Sequence, residues 1–129
     1  MKELRFTADQ NRVLEDLYLA MKIADPHIKG RASMNALTRA FDAFDPHVAV
    51  EEMPGSIMVA AKPHEDEVVI HLEDADFDVV KSCARLVCEE GVNGGTVATQ
   101  QTARIFNARR ALAVLDFLDA AKPPVKPEA

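Results

Sequence analysis

The sequence predicts an α+β fold: two N-terminal helices, a three-stranded antiparallel meander, and two C-terminal helices packed on one sheet face. Three observations carry this expectation. Apolar residues recur at helical spacing up to Phe44 and again from Asp74 onward. Between them, His47 to Leu72 alternates with a period of two, the spacing of a half-buried strand. Pro and Gly then punctuate the boundaries. A chain of 129 residues has room for one core but not two. Residues 1–121 are therefore assigned to a single domain and 122–129, with three prolines, to an extended polyproline-like tail.

The first helix is read from Leu14, Leu17, Tyr18 and Met21 at i, i+3, i+4, i+7, widened by Val13, Ala20 and Ala24. Thr7 is its predicted N-cap, with Gln10 as the capping-box partner. Pro26 is expected to stop it by pushing Asp25 out of the α region. The second helix has Met34, Leu37, Phe41 and Phe44 on one face and ends at Pro46. A short link makes the two an αα-hairpin. Both ends carry the same run, Asp25-Pro26-His27 and Asp45-Pro46-His47. As metal ligands these would have to meet, and antiparallel helices hold their C-termini some ~20 Å apart at ~1.5 Å per residue. Helix stops are the better reading.

The meander follows. Val48 and Val50 alternate, Met53-Pro54-Gly55-Ser56 signals a type II turn, and Ile57, Val59 and Ala61 form a second strand. Val68, Ile70 and Leu72 form a third after an acidic loop that keeps the sheet from pairing with other chains. The next helix starts at Asp74 as N-cap, with Asp76 and Asp78 in its dipole-favoured first turn. The Asp-x-Asp-x-Asp spacing matches a calcium loop only in part, because Val79 stands at the sixth position and Arg85 at the twelfth. The helix is expected to end at Gly91 in a Schellman-type cap with Val92. The glycine-rich 91–96 stretch follows a helix, not a strand, and so lacks the setting of a phosphate loop. The last helix, from Val97 or Thr99 to Ala121, is apolar on most of its circumference, which suits either an interface or a central core helix wrapped by the rest of the domain.

The charge is uneven. The chain carries a net charge of −6, and residues 45–90 hold 12 acids against 3 bases. An acidic chain with no Trp and no basic stripe is not built for direct nucleic-acid contact. No run approaches the ~20 apolar residues of a membrane span, and the first residues, mixed in charge, have no signal-peptide core. Cys83 and Cys88 project about 140° apart on a helix, too divergent for a disulfide, and read as buried packing thiols. The sequence therefore predicts a cytoplasmic protein without metal or cofactor.

Two functions follow. The first is a non-catalytic interaction or assembly protein: an adaptor, inhibitor or structural accessory of the size and composition found in phage and mobile elements. Its partner is another protein or a second copy. The contact residues would be Leu112, Leu115, Phe117 and Leu118 on the last helix, and Asp74, Asp76 and Asp78 on the acidic surface. The alternative is a small-molecule- or metal-binding enzyme using His47, His64, His71, Glu73 and Asp74. It would have His71 as base and Glu73, on the same strand face, to orient it. No nucleophile stands beside that pair in sequence, so the first reading leads.

Overall fold

The computed structural model describes residues 1–54, 56–93 and 108–123. Within them the elements run β1 (Lys2–Thr7), α1 (Asn11–Ala24), α2 (Arg31–Phe44), β2 (Val48–Met53), β3 (Ser56–Ala61), β4 (Glu67–Leu72), α3 (Asp74–Asn93) and α4 (Ala108–Asp119). The class is α+β. The sheet is not the predicted meander.

β4 pairs with β1, and β2 pairs with β3, giving two separate two-stranded antiparallel sheets. β1 was not expected, because it contains only two apolar residues. Those two suffice. Leu4 lies opposite Ile70 and Phe6 opposite Val68, and all four are buried. The alternate residues face outward with matched charges, Glu3 opposite His71, and such cross-strand pairs stabilise a ladder. The far edge of β3 is meanwhile turned toward α1, where Glu15 Oε2 accepts the Ala61 N–H at 2.9 Å. β3 thus has a helix partner where the meander would have placed β4.

Helix α1 buries the predicted stripe of Leu14, Leu17, Tyr18, Ala20, Met21 and Ala24, and Leu19 with it. Gln10 Oε1 accepts the Thr7 N–H at 3.0 Å, closing the reciprocal side of the capping box. In α2 the buried stripe is Ala36, Leu37, Ala40 and Phe44. It is turned away from Met34, which is 56% exposed. The small alanines let α2 approach α3, its main helical neighbour.

The two Asp-Pro-His runs fold alike, but not as predicted. Asp25 and Asp45 stay helical (φ −46°, ψ −50° and φ −51°, ψ −39°). Each then opens a single 3-10 turn, Asp25–His27 and Asp45–His47. Pro in a first turn loses no hydrogen bond that turn needs, so the helix changes pitch before it stops. The following restart at α2 uses Gly30 with φ +93°, a conformation that side chains other than glycine's resist.

Helix α3 runs through Gly91 to Asn93, so the cap expected at Gly91 does not form there. Residues 94–107, which include the rest of the glycine-rich stretch and the predicted start of the last helix, lie outside the described residues. Lys122, assigned to the tail, instead bridges to β1: its carbonyl accepts the Glu3 N–H at 3.0 Å. Residues 124–129 also lie outside the described residues.

The four described helices contribute to one core over the inner face of the β1–β4 sheet. Phe6 stacks on Phe117 with centroids 4.4 Å apart and meets Phe44 edge-on at 6.3 Å, geometries that aromatic quadrupoles favour. Tyr18 is nearly buried, and its hydroxyl donates to Asp45 Oδ1 at 2.6 Å. Burial and this carboxylate both raise its pKa.

Among the described residues, two bidentate ion pairs join helices. Arg39 on α2 grips Asp76 on α3, with nitrogen–oxygen distances of 2.8–3.1 Å. Arg110 on α4 grips Asp16 on α1, its Nε 3.0 Å from Oδ2 and a terminal nitrogen on Oδ1. Both carboxylates are buried, where a charge requires a partner. The two cysteines are buried and free. Burial pushes the Cys83 thiol up to about 11 and the Cys88 thiol up to about 12, which leaves them inert as nucleophiles at neutral pH.

Candidate functional site

The β2–β3 hairpin packs one face on the core and leaves the other uncovered. Its register pairs Val48 with Ala61, Val50 with Val59 and Glu52 with Ile57 on one face. Of these, Val50, Ile57, Val59 and Ala61 pack against the core cluster, with β3 lying along α1. The opposite face carries Ala49, Glu51 and Met53 from β2, and Met58 and Ala60 from β3. All five are exposed, Met53 at 53% and Met58 at 56%.

A solvated strand face ordinarily alternates into polar residues. Here four of five are apolar, two of them methionines, whose flexible thioethers mould to varied surfaces. The signal was present in the sequence: both faces of this hairpin are apolar, which a sheet with one core face does not require.

Most carboxylates of the acidic segment are displayed to solvent. Glu51, Glu52, Glu65, Asp66, Glu67, Glu73, Asp74 and Asp78 are all exposed. Glu52 meets Lys22 at 3.0 Å, and Asp74 meets the Met1 amine at 2.7 Å. That amine holds the Asp74 carboxyl below its ordinary range. Asp76 is the exception, buried against Arg39.

The structure separates the residues nominated on the last helix. Leu118 is buried, and Phe117 stacks on Phe6. Leu115 is half-buried, while Leu112 is 59% exposed. Within this chain, Leu118, Phe117 and Asp76 already have partners, and Leu112 is the large apolar side chain that α4 exposes among the described residues.

The residues of the catalytic alternative are also dispersed. His47 sits in the 3-10 turn before β2. His64 Nε2 lies 2.6 Å from Asn11 Oδ1. His71 pairs with Glu3 Oε1 at 3.0 Å, not with Glu73, whose carbonyl accepts the Phe77 N–H at the start of α3. Among the described residues, no three His, Cys, Asp or Glu side chains converge on one point, and no helix is long and apolar enough to cross a membrane.

His71 belongs to a charged row on the outer face of the β1–β4 sheet. Glu3 accepts from His71 and from Arg5, and Arg5 reaches on to Glu67. The His71 hydrogen bond, followed by that of Arg5, lowers the Glu3 pKa from its ordinary 4.5. A lowered carboxylate stabilises the fold above its unfolded pKa, and that contribution is lost as pH falls through the folded value. Glu3→Gln is therefore expected to flatten the acid side of the thermal-stability profile below about pH 4.5. Melting curves between pH 7 and about 3 check this; an unchanged acid slope would remove Glu3 from the account.

No protein-family model, curated protein or solved structure matches the chain.

Proposed function

We propose that this chain is a non-catalytic protein-interaction or assembly module whose partner face is the outer side of the β2–β3 hairpin. One observation carries the reading: Ala49, Met53, Met58 and Ala60 form an exposed apolar sheet face, with the exposed carboxylates Glu51 and Glu52 on the same strand pair. Apolar centres with charged rims are the anatomy of interfaces. Leu112 on α4 is a further exposed apolar point. This reading assigns the protein to the cytoplasm, where its two free thiols would stay reduced.

Met58→Asp tests the reading. The side chain is exposed, so the variant should fold and melt as the parent does, within about 0.5 kcal/mol. Tagged parent and variant are then purified from the native cell and weighed by light scattering. The parent should carry a stoichiometric protein partner, and Met58→Asp should lose it. A partner kept in full by the variant, or a parent that runs as a bare 14.2 kDa chain, refutes the assignment of this face.

A further inference from the structure

The edge of the same hairpin narrows the chemistry of the partner. In an antiparallel ladder, alternate residues bond across the strand pair and the others point away. Lys62 donates its N–H to the His47 carbonyl at 2.9 Å, and that fixes the phase. Ala49, Glu51 and Met53 therefore bond to β3, while Val48, Val50 and Glu52 point away from it. The Val48 amide is taken by the Asp45 carbonyl, which leaves the amides of Val50 and Glu52 to an added strand.

The other strand edges differ. β3 is capped at Ala61 by Glu15. On β1, Lys122 takes the Glu3 amide and Gln10 takes that of Thr7, leaving one residue, Arg5, beside a groove of about 340 Å³. On β4, the same alternation turns Glu67, Val69 and His71 outward, but Glu67 is neutralised by Arg5 and His71 is held by Glu3. β2 carries Glu51 on its outer face and Glu52, which meets Lys22, on its inner one. Glu51 has no ion pair among the described residues.

We propose that β2 takes an extended basic segment of a partner protein as an added strand, a deepening that rests on the interaction reading above. Main-chain hydrogen bonds would supply the affinity and alternate side chains the specificity. Lysines or arginines on one face of the added strand meet Glu51. Apolar residues on its other face continue the row of Val48 and Val50. A second copy of this chain fits less well, because it would bring together two segments that each hold 12 acids against 3 bases. Exposed acids are a common guard against such self-pairing.

A synthetic peptide of about seven residues alternating Lys and Val, titrated into the full chain, is the probe, read by amide hydrogen exchange in NMR. Exchange at the Val50 and Glu52 amides should slow by about 10-fold or more. Raising salt from about 50 to about 500 mM should weaken binding. Glu52→Pro removes an amide that points away from β3, a placement strands tolerate at an edge. It should cut affinity by about 10-fold or more with the hairpin's own ladder intact, while Glu52→Gln, the control for charge, should weaken binding less.

Protection at Arg5, or at Val69 and His71, would move the docking to another edge and overturn the proposal. Equal binding of a Glu/Val peptide, or dimers of the chain that Glu52→Pro abolishes, would overturn the basic partner. Shifts confined to Met58 and Ala60 without amide protection would overturn strand addition while leaving the apolar face as the interface. No binding at all would overturn the proposal, and the native-partner test with Met58→Asp would still judge the interaction reading separately.

Discussion

Replacing Leu118 with Ala is expected to lower the unfolding free energy by about 3 kcal/mol, while Leu112→Ala leaves it within about 0.5 kcal/mol. From the sequence these two leucines belong to one interface. In the structure Leu118 is 1% exposed and Leu112 is 59% exposed. Ala111, Val114 and Leu118 repeat at i, i+3, i+7 and are all buried, facing α1 and α3. Truncating Leu118 removes apolar burial and leaves a cavity that a helix held by Arg110 and by the Phe117–Phe6 stack cannot readily close. Truncating Leu112 removes surface that water already reaches. Urea denaturation of both variants measures the difference, and Leu118→Ala should melt about 10 °C lower. Equal and small losses would mean that α4 is not seated in the core. The contrast also separates stability from binding: a deficit in Leu118→Ala says nothing about a partner, whereas one in Leu112→Asp would.

What the sequence disclosed divides by distance along the chain. The stripe of α1 was legible because helical periodicity is local and 14 residues sample it several times. The strands β2, β3 and β4 were legible for the same reason at period two. β1 was not, since Leu4 and Phe6 alone do not establish a period. The pairing of β1 with β4 joins residues such as Glu3 and His71, 68 apart, and nothing local records it. The acidic run at Asp74 to Asp78 shows this limit most directly. Capping and dipole arguments treat its members alike, yet Asp76 is buried because an arginine 37 residues earlier reaches it. The candidate site was half legible. The alternation that placed Val48 and Val50 inward also placed Ala49, Met58 and Ala60 outward. An apolar residue at an outward position could be noticed at once. That nothing covers it required the fold.

Removing the arginine of the second buried pair should cost about as much as truncating Leu118. Arg110→Ala strands Asp16, a carboxylate 3% exposed on α1, and about 3 kcal/mol of stability should go with it at neutral pH. Most of that is the penalty of a buried charge left without its partner, not the strength of the pair itself. Two consequences follow. Replacing both members by apolar side chains of similar bulk, Asp16→Leu with Arg110→Met, should recover most of the loss.

The loss should also depend on pH, and its sign is fixed. Burial already holds the Asp16 carboxyl above its ordinary value of 3.8, while Arg110 pulls it down. Without Arg110 it rises further. A carboxyl with a raised folded pKa favours the native state below its unfolded value, and that advantage is lost as pH rises through the folded one. The gap between parent and Arg110→Ala should therefore be widest near pH 7 and narrow toward about pH 4, where the native variant takes up the proton first. A gap that stays constant across that range, with the double variant no more stable than the single one, would show that Arg110 matters through its other contacts and not through Asp16.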